Sequence, residues 1–322
     1  MALGMLVDGE WTTHGIPKDS EGRFVRSETS FREWVTADSS SGFRAESGRY
    51  HLYVSSACPW AHRTVLLRNL KGLEGVISLS IVDPFMGSGG WVFSDAPGAI
   101  PDTVNGASYL REVYLKADPD YTGRVTTPIL WDKANETIVN NESREIIRML
   151  DKEFEELSTT SADFCPDDLQ QEIDRTIDEI YEPVNNGVYK SGFATTQSAY
   201  EEAVTDLFDA LDHWENVLNS RRYLCGDRIT EADWCMFTTL IRFDPVYHYH
   251  FKCNLRRISD YPNLGGYLKD LYQQPGVAET VDFDHMKQHY YMSHESLNPT
   301  GIVPKGPLLD LNEPHGRERL SD

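Results

Sequence analysis

The pattern of hydrophobic and polar positions becomes regular at residue 50. Tyr50, Leu52 and Val54 alternate with their neighbours, which is the period of a β-strand. Pro59 then suits the first position of a helix, because its missing N–H would have no partner there. Apolar side chains recur at helical spacing until a Lys-Gly pair at 71–72, where the helix is expected to stop. The next apolar run, GVISLSIVD, predicts a second strand.

A long stretch without periodicity follows, from about residue 84 to residue 123. It is rich in Gly, Pro and Asp, and we expect an irregular insert, since a loop of this length in a compact domain is more often functional than idle. Beyond it, the segments TTPILWD, KANE and TIVN predict a strand, a turn and a strand. NESREIIRMLDKEFEEL predicts a helix that is capped by Asn141 or a neighbour.

The order of these elements indicates a thioredoxin-like α/β domain. The rest of the chain is helical, with few strand signals, and ITEAD predicts a capping box in which Thr230 caps a helix and Asp233 lies three residues on. The polar first segment contains scattered aromatic residues, which predict that it wraps onto the body. The predicted organisation is an N-terminal extension at 1–48, a thioredoxin-like domain at 49–157, a helical domain at 165–295 and a C-terminal extension at 296–322.

Composition limits the partners of the chain. Its 322 residues include 30 Lys and Arg against 51 Asp and Glu, a net charge of −21. Such a chain repels nucleic-acid backbones and anionic membranes, so neither is an expected partner, and we interpret the charge mainly as a source of solubility. No run reaches the roughly 20 apolar residues of a membrane helix, and the first residues do not have the pattern of a secretory signal.

The cysteines indicate a reducing compartment. An odd, sparse set in a long chain is not a disulfide framework, and no pair has the spacing of zinc ligands. We therefore expect a cytoplasmic protein without a metal. The five are Cys58, Cys165, Cys225, Cys235 and Cys253.

Cys58 carries the candidate chemistry, because it stands between the first strand and the helix that Pro59 opens. A helix N-terminus presents unpaired N–H groups and a partial positive charge, and both favour a thiolate over a thiol. Ala61 occupies the place of the second cysteine of a dithiol redox protein. An adduct on Cys58 must then be cleared by an external thiol, which in the cytosol is chiefly glutathione. This pattern predicts a thiolate-based enzyme that uses glutathione.

Two other places fit glutathione. Thr127-Pro128 begins the third strand, where an X-Pro bond of a thioredoxin-like domain is typically cis, and the Thr127 backbone is expected to pair with the peptide part of glutathione. Glu142 and Ser143 stand at a helix start, where they can hold the ammonium and carboxylate of the γ-glutamyl end. A solvated helix cap has the same pattern, so this assignment is left open.

Seven motifs carry a wider resemblance: ACPWAHR, GGWVF, GRVTTPILWD, VNNES, NNGVYKSGFATTQ, RFDPVYHYHFKCN and HYYMSH…NPTGIVP. From about residue 8 to residue 308 the chain closely resembles the glutathionyl-hydroquinone reductases, the Xi class of glutathione transferases. The resemblance implies a glutathione transferase fold, with an all-α C-terminal domain, and a homodimer. It also implies glutathione-dependent reduction of S-glutathionyl-hydroquinones to hydroquinones, with release of oxidised glutathione.

The resemblance also implies roles for individual residues. Cys58 looks like the nucleophile that forms a mixed disulfide with glutathione, and Trp91 of GGW looks like a lid on glutathione. The other glutathione contacts, with Arg124 assigned to a carboxylate, are Arg124, Thr127, Glu142 and Ser143.

Tyrosines are implied for the hydroquinone site. Tyr189 of GVYKSGF and Tyr290 of HYYMSH look like the two that contact the hydroquinone and assist proton transfer, and the adjacent Tyr291 stays open as the alternative to Tyr290. Tyr249 stands where small residues are expected in many members of the class. The shape of the substrate pocket is therefore left open.

Three other functions remain as alternatives. The chain could be an Omega-like thiol transferase or dehydroascorbate reductase, since Omega-class enzymes share the CPxA motif. It could be a non-catalytic carrier of quinones or aromatic ligands. It could also be a docking module of a multi-protein assembly, although such modules can lose the nucleophile that is retained here. The physiological quinone and any protein partner of the acidic surface are not defined by the sequence.

Overall fold

The computed structural model describes residues 3–320. Within them, no helix combines the length and the apolar character needed to cross a bilayer. The strands are β1 (Leu3–Val7), β2 (Glu10–His14), β3 (Val35–Thr36), β4 (Phe43–Arg44), β5 (Tyr50–Val54), β6 (Ser78–Ile81), β7 (Gly123–Arg124), β8 (Ile129–Asp132) and β9 (Thr137–Asn140). The α-helices are α1 (Pro59–Leu70), α2 (Leu110–Ala117), α3 (Ser143–Lys152), α4 (Gln170–Ile180), α5 (Gly187–Phe193), α6 (Gln197–Val217), α7 (Glu231–Arg242), α8 (His248–His250), α9 (Pro262–Tyr272) and α10 (Phe283–Ser293).

The chain divides into two compact units. The first unit contains the described residues up to Ile16, residues 26–162 and residues 280–303. The second contains residues 17–25, residues 163–279 and the described residues from Pro304 onwards. Both terminal segments are thus shared between the units, and the domain boundaries drawn from the sequence stay a prediction.

A four-stranded mixed sheet forms the centre of the first unit. Its strand order is β6-β5-β8-β9, with β5 parallel to β6 and β8 antiparallel to both β5 and β9. Every residue of β5 is buried, and the helices α1 and α3 pack on each other beside the sheet. The predicted order of strand, helix, strand, hairpin and helix is confirmed. The loop after β5 therefore delivers Cys58 at the end of a buried strand.

Two regions for which the sequence predicted no strand or helix contain regular structure. The N-terminal segment forms the hairpin β1–β2, which turns at Asp8 and Gly9 with positive φ angles, and β1 pairs Met5 with Arg124 of β7. The insert contains α2, whose buried residues include Leu110 and Val113. These elements are short, and each needs partners from distant parts of the chain, so the local pattern did not reveal them. The wrapping of N-terminal aromatic residues is confirmed in this unit by Trp11 and Phe31, which pack on its core.

Helices build the second unit. The 21-residue α6 packs on α5 and α9, and the predicted capping box of Thr230 and Asp233 is present at the start of α7. Asp233 is fully buried, and burial raises the pKa of its carboxyl group above the usual value. Its Oδ1 also accepts hydrogen bonds from Leu224 N at 2.9 Å and from Tyr267 Oη at 2.8 Å. Asp233 of the capping box therefore also joins α7 to α9.

The C-terminal segment of this unit is fastened by one arginine. Arg317 is 2% exposed, and its guanidinium donates to the carbonyl oxygens of Leu218, Arg221 and Arg222, near the end of α6. A helix end leaves carbonyl groups without partners inside the helix, and Arg317 supplies donors to them. The last turn of α6 and the C-terminal segment are stabilised together.

Replacement of Arg317 tests this anchor. We expect Arg317→Ala to lower the free energy of unfolding by about 2–3 kcal/mol, since hydrogen bonds from a charged donor are lost and buried carbonyls are left unpaired. For a chain of 322 residues the melting temperature should fall by roughly 3–5 °C. Arg319→Ala is the matched control, because Arg319 is exposed two residues further on. Equal melting temperatures for the two variants would contradict the proposed role of Arg317.

Candidate active site

Cys58 is the N-cap residue of α1. Its Sγ accepts a hydrogen bond from Ala61 N at 3.5 Å and lies 3.5 Å from the carbonyl oxygen of Thr127. Of the five cysteines it is the only one that is not buried. Burial raises the pKa of the thiols of Cys225 and Cys253 above the usual value. The reactive thiol that the sequence predicts is therefore placed at an accessible helix N-terminus.

Two side chains of the first turn of α1 hold the neighbourhood of Cys58 in place. His62 Nε2 lies 2.7 Å from Thr280 Oγ1, and Arg63 Nη1 donates to Ser143 Oγ at 3.3 Å. The Arg63 guanidinium also lies 4.4 Å from the centre of the Trp60 ring. Arg63 thus connects the N-termini of α1 and α3, which carry Cys58 and the candidate Glu142-Ser143 pair.

The Thr127-Pro128 peptide bond is cis, as predicted. The Thr127 carbonyl faces Cys58 Sγ, so the start of β8 and the start of α1 meet at the thiol. The Thr127 side chain is 6% exposed, and its Oγ1 has no hydrogen-bond partner among residues 3–320.

Glu142 and Ser143 begin α3. Glu142 is the N-cap, which agrees with the alternative to Asn141 that the sequence left open. Its carboxylate accepts from Arg144 N at 3.3 Å and from Thr29 Oγ1 at 3.4 Å. Ser143 is buried beside the Arg63 guanidinium. The pair therefore presents a carboxylate and a hydroxyl at a helix N-terminus.

Arg124 lies on β7, where the N-terminal strand β1 pairs with it. Burial lowers the pKa of its guanidinium, and the positive charge of Arg26 lowers it further. Within the described residues no carboxylate pairs with the Arg124 side chain. Arg26 itself lies 4.8 Å from the centre of the Trp60 ring. Two cations of an acidic chain thus come close together near the start of α1. Arg26 lies in a segment without periodicity, so it was not predicted as a site residue.

Trp91 is half-buried in the insert, which is held from two sides. On one side, Trp11 of β2 donates from Nε1 to Ser88 O at 3.0 Å. Gly90 has φ +83°, and a Cβ on it would lie 2.8 Å from the Trp11 ring, so this close approach requires glycine. On the other side, the Trp91 ring stacks on His289 of α10, at 4.7 Å between centroids.

Tyr290 belongs to the same compact unit as Cys58 and Trp91. It is buried on α10, and its ring meets the rings of His289 and His294 edge-on, at 5.3 Å in each case. Tyr291 is also buried, and its carbonyl oxygen accepts from Asn298 Nδ2 at 2.7 Å.

Tyr189 belongs to the second unit. It is half-buried on α5, directly after a π-helical turn at Tyr181–Asn185, and a second π-helical turn spans Phe243–Tyr247. Each turn contains a proline, which cannot donate the hydrogen bond of a regular α-helix. Neither π-helical turn was predicted from the sequence. The rings around Tyr189, with centroids 5.5–6.5 Å away, are Phe24, Phe193, Tyr247 and Phe251.

The structure therefore groups most of the predicted site residues. The first unit contains Cys58, Trp91, Arg124, Thr127, Glu142, Ser143 and Tyr290. Tyr189 belongs to the second unit, as does Tyr249, which is 73% exposed. Over the described part of the chain, no group of three or more His, Cys, Asp or Glu side chains is arranged to hold a metal.

Comparisons with known proteins agree with this architecture. The family models "Glutathione S-transferase, N-terminal domain" and "Glutathione S-transferase, C-terminal domain" match residues 57–153 and 197–270. Glutathionyl-hydroquinone reductase YqjG of Escherichia coli K12 is 54% identical over 98% of this chain and 99% of its own length. Glutathionyl-hydroquinone reductase PcpF of Sphingobium chlorophenolicum is 54% identical over 96% of this chain and 98% of its own.

Solved structures extend the similarity to the fold. The Xi-class glutathione transferase of Natrialba magadii has a TM-score of 0.95 and 54% identity, covering 99% of this chain and 98% of its own. The glutathione-bound structure of YqjG has a TM-score of 0.90 and 53% identity, covering 98% and 99%. The chain belongs to the glutathione S-transferase family and, within it, to the Xi class of the glutathionyl-hydroquinone reductases.

Proposed function

We propose that this protein reduces S-glutathionyl-hydroquinones to hydroquinones with glutathione, through a mixed disulfide on Cys58. The observation that carries the proposal is the geometry of Cys58, an accessible thiol at a helix N-terminus with alanine three residues on. Relatives that are 54% identical over nearly the whole chain bear the name of this activity.

In the first half-reaction the Cys58 thiolate attacks the sulfur of the substrate. The new bond joins Cys58 Sγ to the glutathione sulfur, and the bond between that sulfur and the ring carbon breaks. Its electron pair leaves with the ring, which departs as an enolate if the substrate first shifts to its keto tautomer. A proton then restores the hydroquinone. The two sulfurs are oxidised to a disulfide while the ring carbon is reduced, so atoms and electrons balance.

The second half-reaction regenerates the thiolate. A second glutathione, as its thiolate, attacks the glutathione sulfur of the mixed disulfide, and Cys58 Sγ leaves with the electron pair. The product is oxidised glutathione, and the cycle is of the ping-pong type. Because position 61 is alanine, no cysteine of this motif competes for the disulfide. An external thiol must therefore complete the turnover.

We assign the glutathione site to the neighbourhood of Cys58. Thr127 offers backbone groups to the cysteinyl part, and Glu142 with Ser143 at the start of α3 receives the γ-glutamyl ammonium and carboxylate. The indole of Trp91 covers the bound tripeptide. This assignment uses the helix N-termini of α1 and α3 in the same way, each presenting N–H groups to a negative charge.

Arg124 is assigned to a carboxylate of glutathione. Its guanidinium is partly buried beside Arg26 without a carboxylate partner among the described residues, and burial, followed by the charge of Arg26, lowers its pKa. A bound carboxylate would remove the mutual repulsion of the two cations and supply the missing partner. The paired positive charges favour an anionic ligand.

The hydroquinone is assigned to the tyrosines. A neutral phenol can donate a hydrogen bond to the developing enolate oxygen or a proton to the ring. Tyr290 shares a unit with Cys58 and packs against the imidazole that stacks on Trp91, which favours Tyr290 over Tyr291 for this role. Tyr189 is the candidate from the second unit.

We also propose that the protein is a homodimer and that it acts in the cytoplasm. The first proposal rests on membership of the Xi class, and a light-scattering mass in solution tests it. The second is supported by five free cysteines, none of which is joined in a disulfide.

One assay tests the function as a whole. Protein, glutathionyl-menadione and excess glutathione are mixed, menadiol release is followed, and the intact mass is measured before and after substrate addition. We expect menadiol release together with a glutathione adduct on Cys58. A faster rate on a generic mixed disulfide would favour an Omega-like thiol transferase. Stoichiometric binding with neither release nor adduct would favour a carrier or a docking module.

Substitution of the nucleophile gives a sharper prediction. Cys58→Ala should abolish turnover, and Cys58→Ser should also fail, because a serine hydroxyl stays protonated and is a poor nucleophile towards sulfur. Cys225→Ser is the control, since Cys225 is a buried thiol that plays no part in the proposed cycle. Menadiol release at the full rate by Cys58→Ser would refute the thiolate mechanism.

Removal of the Arg124 charge should weaken glutathione binding. We expect Arg124→Ala to raise the KM for glutathione about 10- to 100-fold, the range of a lost charge-assisted hydrogen bond. Arg124→Lys, which keeps the charge but not the planar fork, should recover part of this loss. Arg175→Ala removes an equal charge from an exposed site on α4 and serves as the control. An unchanged KM in Arg124→Ala would exclude Arg124 from the glutathione site.

A further inference from the structure

His289 lies between two residues with assigned roles. Its imidazole stacks on the Trp91 indole, with 4.7 Å between centroids and 21° between planes. The ring of Tyr290 meets the same imidazole edge-on, at 5.3 Å and 77°. One buried side chain thus contacts both the lid assigned to glutathione and the tyrosine assigned to the hydroquinone. His289 is the first residue of the HYYMSH motif, but the sequence analysis assigned it no role.

The orientation of the His289 ring is fixed by the insert. Nδ1 lies 2.9 Å from the carbonyl oxygen of Pro84. A carbonyl oxygen only accepts hydrogen bonds, so Nδ1 carries the proton and donates it. This bond fixes the plane of the imidazole. The Trp91 indole stacks on that plane at an angle of 21° and is thereby oriented.

A second hydrogen bond, one turn further along α10, also holds the insert on this helix. Ser293 Oγ accepts from Met86 N at 2.9 Å and lies 3.5 Å from His289 Nδ1. The insert residues 84–91 are therefore attached to α10 by two hydrogen bonds and one aromatic stack. All of these residues belong to the first compact unit.

We propose that His289 is a positioning residue, which holds Trp91 over glutathione and aligns Tyr290 with the hydroquinone. The proposal rests on the function assigned above, because it gives the two neighbours of His289 their roles. Pre-organised side chains need supporting contacts of this kind, since a small displacement of a binding group has a large effect on rate. When one ring of a stacked aromatic pair orders the other, which contacts the ligand, we expect a contribution of about 3- to 10-fold to ligand affinity.

The test separates the stack from the hydrogen bond. His289→Phe keeps a flat ring and loses the bond to Pro84, His289→Asn keeps a donor near Nδ1 and loses the ring, and His289→Ala loses both. We expect His289→Ala to weaken glutathione binding about 10-fold and to raise the KM for glutathionyl-menadione, with kcat falling less than the KM rises. His289→Phe should recover most of the binding. Met292→Ala, an exposed change on the same helix, is the control.

A double-mutant cycle with Trp91→Ala decides whether His289 acts through the lid. If it does, His289→Ala should have little further effect on glutathione affinity once Trp91 is absent. Equal effects with and without Trp91 would overturn the proposal. A loss of glutathione affinity that only follows a lower folded fraction would also overturn it. The melting temperature and the titre of reactive Cys58 measure the folded fraction.

Binding and turnover are measured separately. A wild-type protein that binds glutathione without releasing menadiol would contradict the proposed function. The binding cycle of His289 and Trp91 would still give a result for the positioning role.

Discussion

The hydrogen bond from Ala61 N to Cys58 Sγ is the interaction on which the site depends. It makes the sulfur the cap of α1, so the thiol occupies the position where a helix N-terminus concentrates unpaired N–H groups. Pro59 supports this arrangement because it opens the helix without needing a partner for its own nitrogen. The carbonyl of Thr127 and the start of α3, tied to α1 by Arg63, then surround the thiol. The chemistry of Cys58 follows from this backbone geometry.

Charge places a second constraint on the site. The chain has a net charge of −21, so its overall field repels an anionic tripeptide and its conjugates. The neighbourhood of α1 counters this field locally, because Arg124 and Arg26 lie close enough for one to lower the pKa of the other. Under the proposed assignment, a carboxylate bound at Arg124 would offset the repulsion between these two cations. A solubilising acidic surface and an anionic substrate are in this way compatible.

The sequence was informative wherever local chemistry decided the structure. The strand before Cys58, the Pro59 helix start, the cis bond at Pro128 and the capping box of Thr230 each follow from a few adjacent residues. It failed where an element needs a distant partner. Met5 pairs with Arg124 across more than a hundred residues, and the stack of Trp91 on His289 spans nearly two hundred. Neither segment has a periodicity that indicates such a contact. The strand β1, the helix α2 and the stack of Trp91 on His289 were therefore not predictable from the sequence.

These distant contacts explain why both chain ends matter to a site that is centred on residue 58. The N-terminal hairpin pairs with the strand of Arg124 and packs Trp11 on Gly90, next to the lid. From the other end of the chain, α10 supplies the imidazole that stacks on Trp91 and the adjacent Tyr290. The thioredoxin-like core alone provides the thiol and the N-termini of α1 and α3. Trp91 and Tyr290, the proposed lid and the proposed hydroquinone tyrosine, belong to the added segments, so we expect selectivity for a glutathionylated aromatic ring to arise outside the core that carries Cys58.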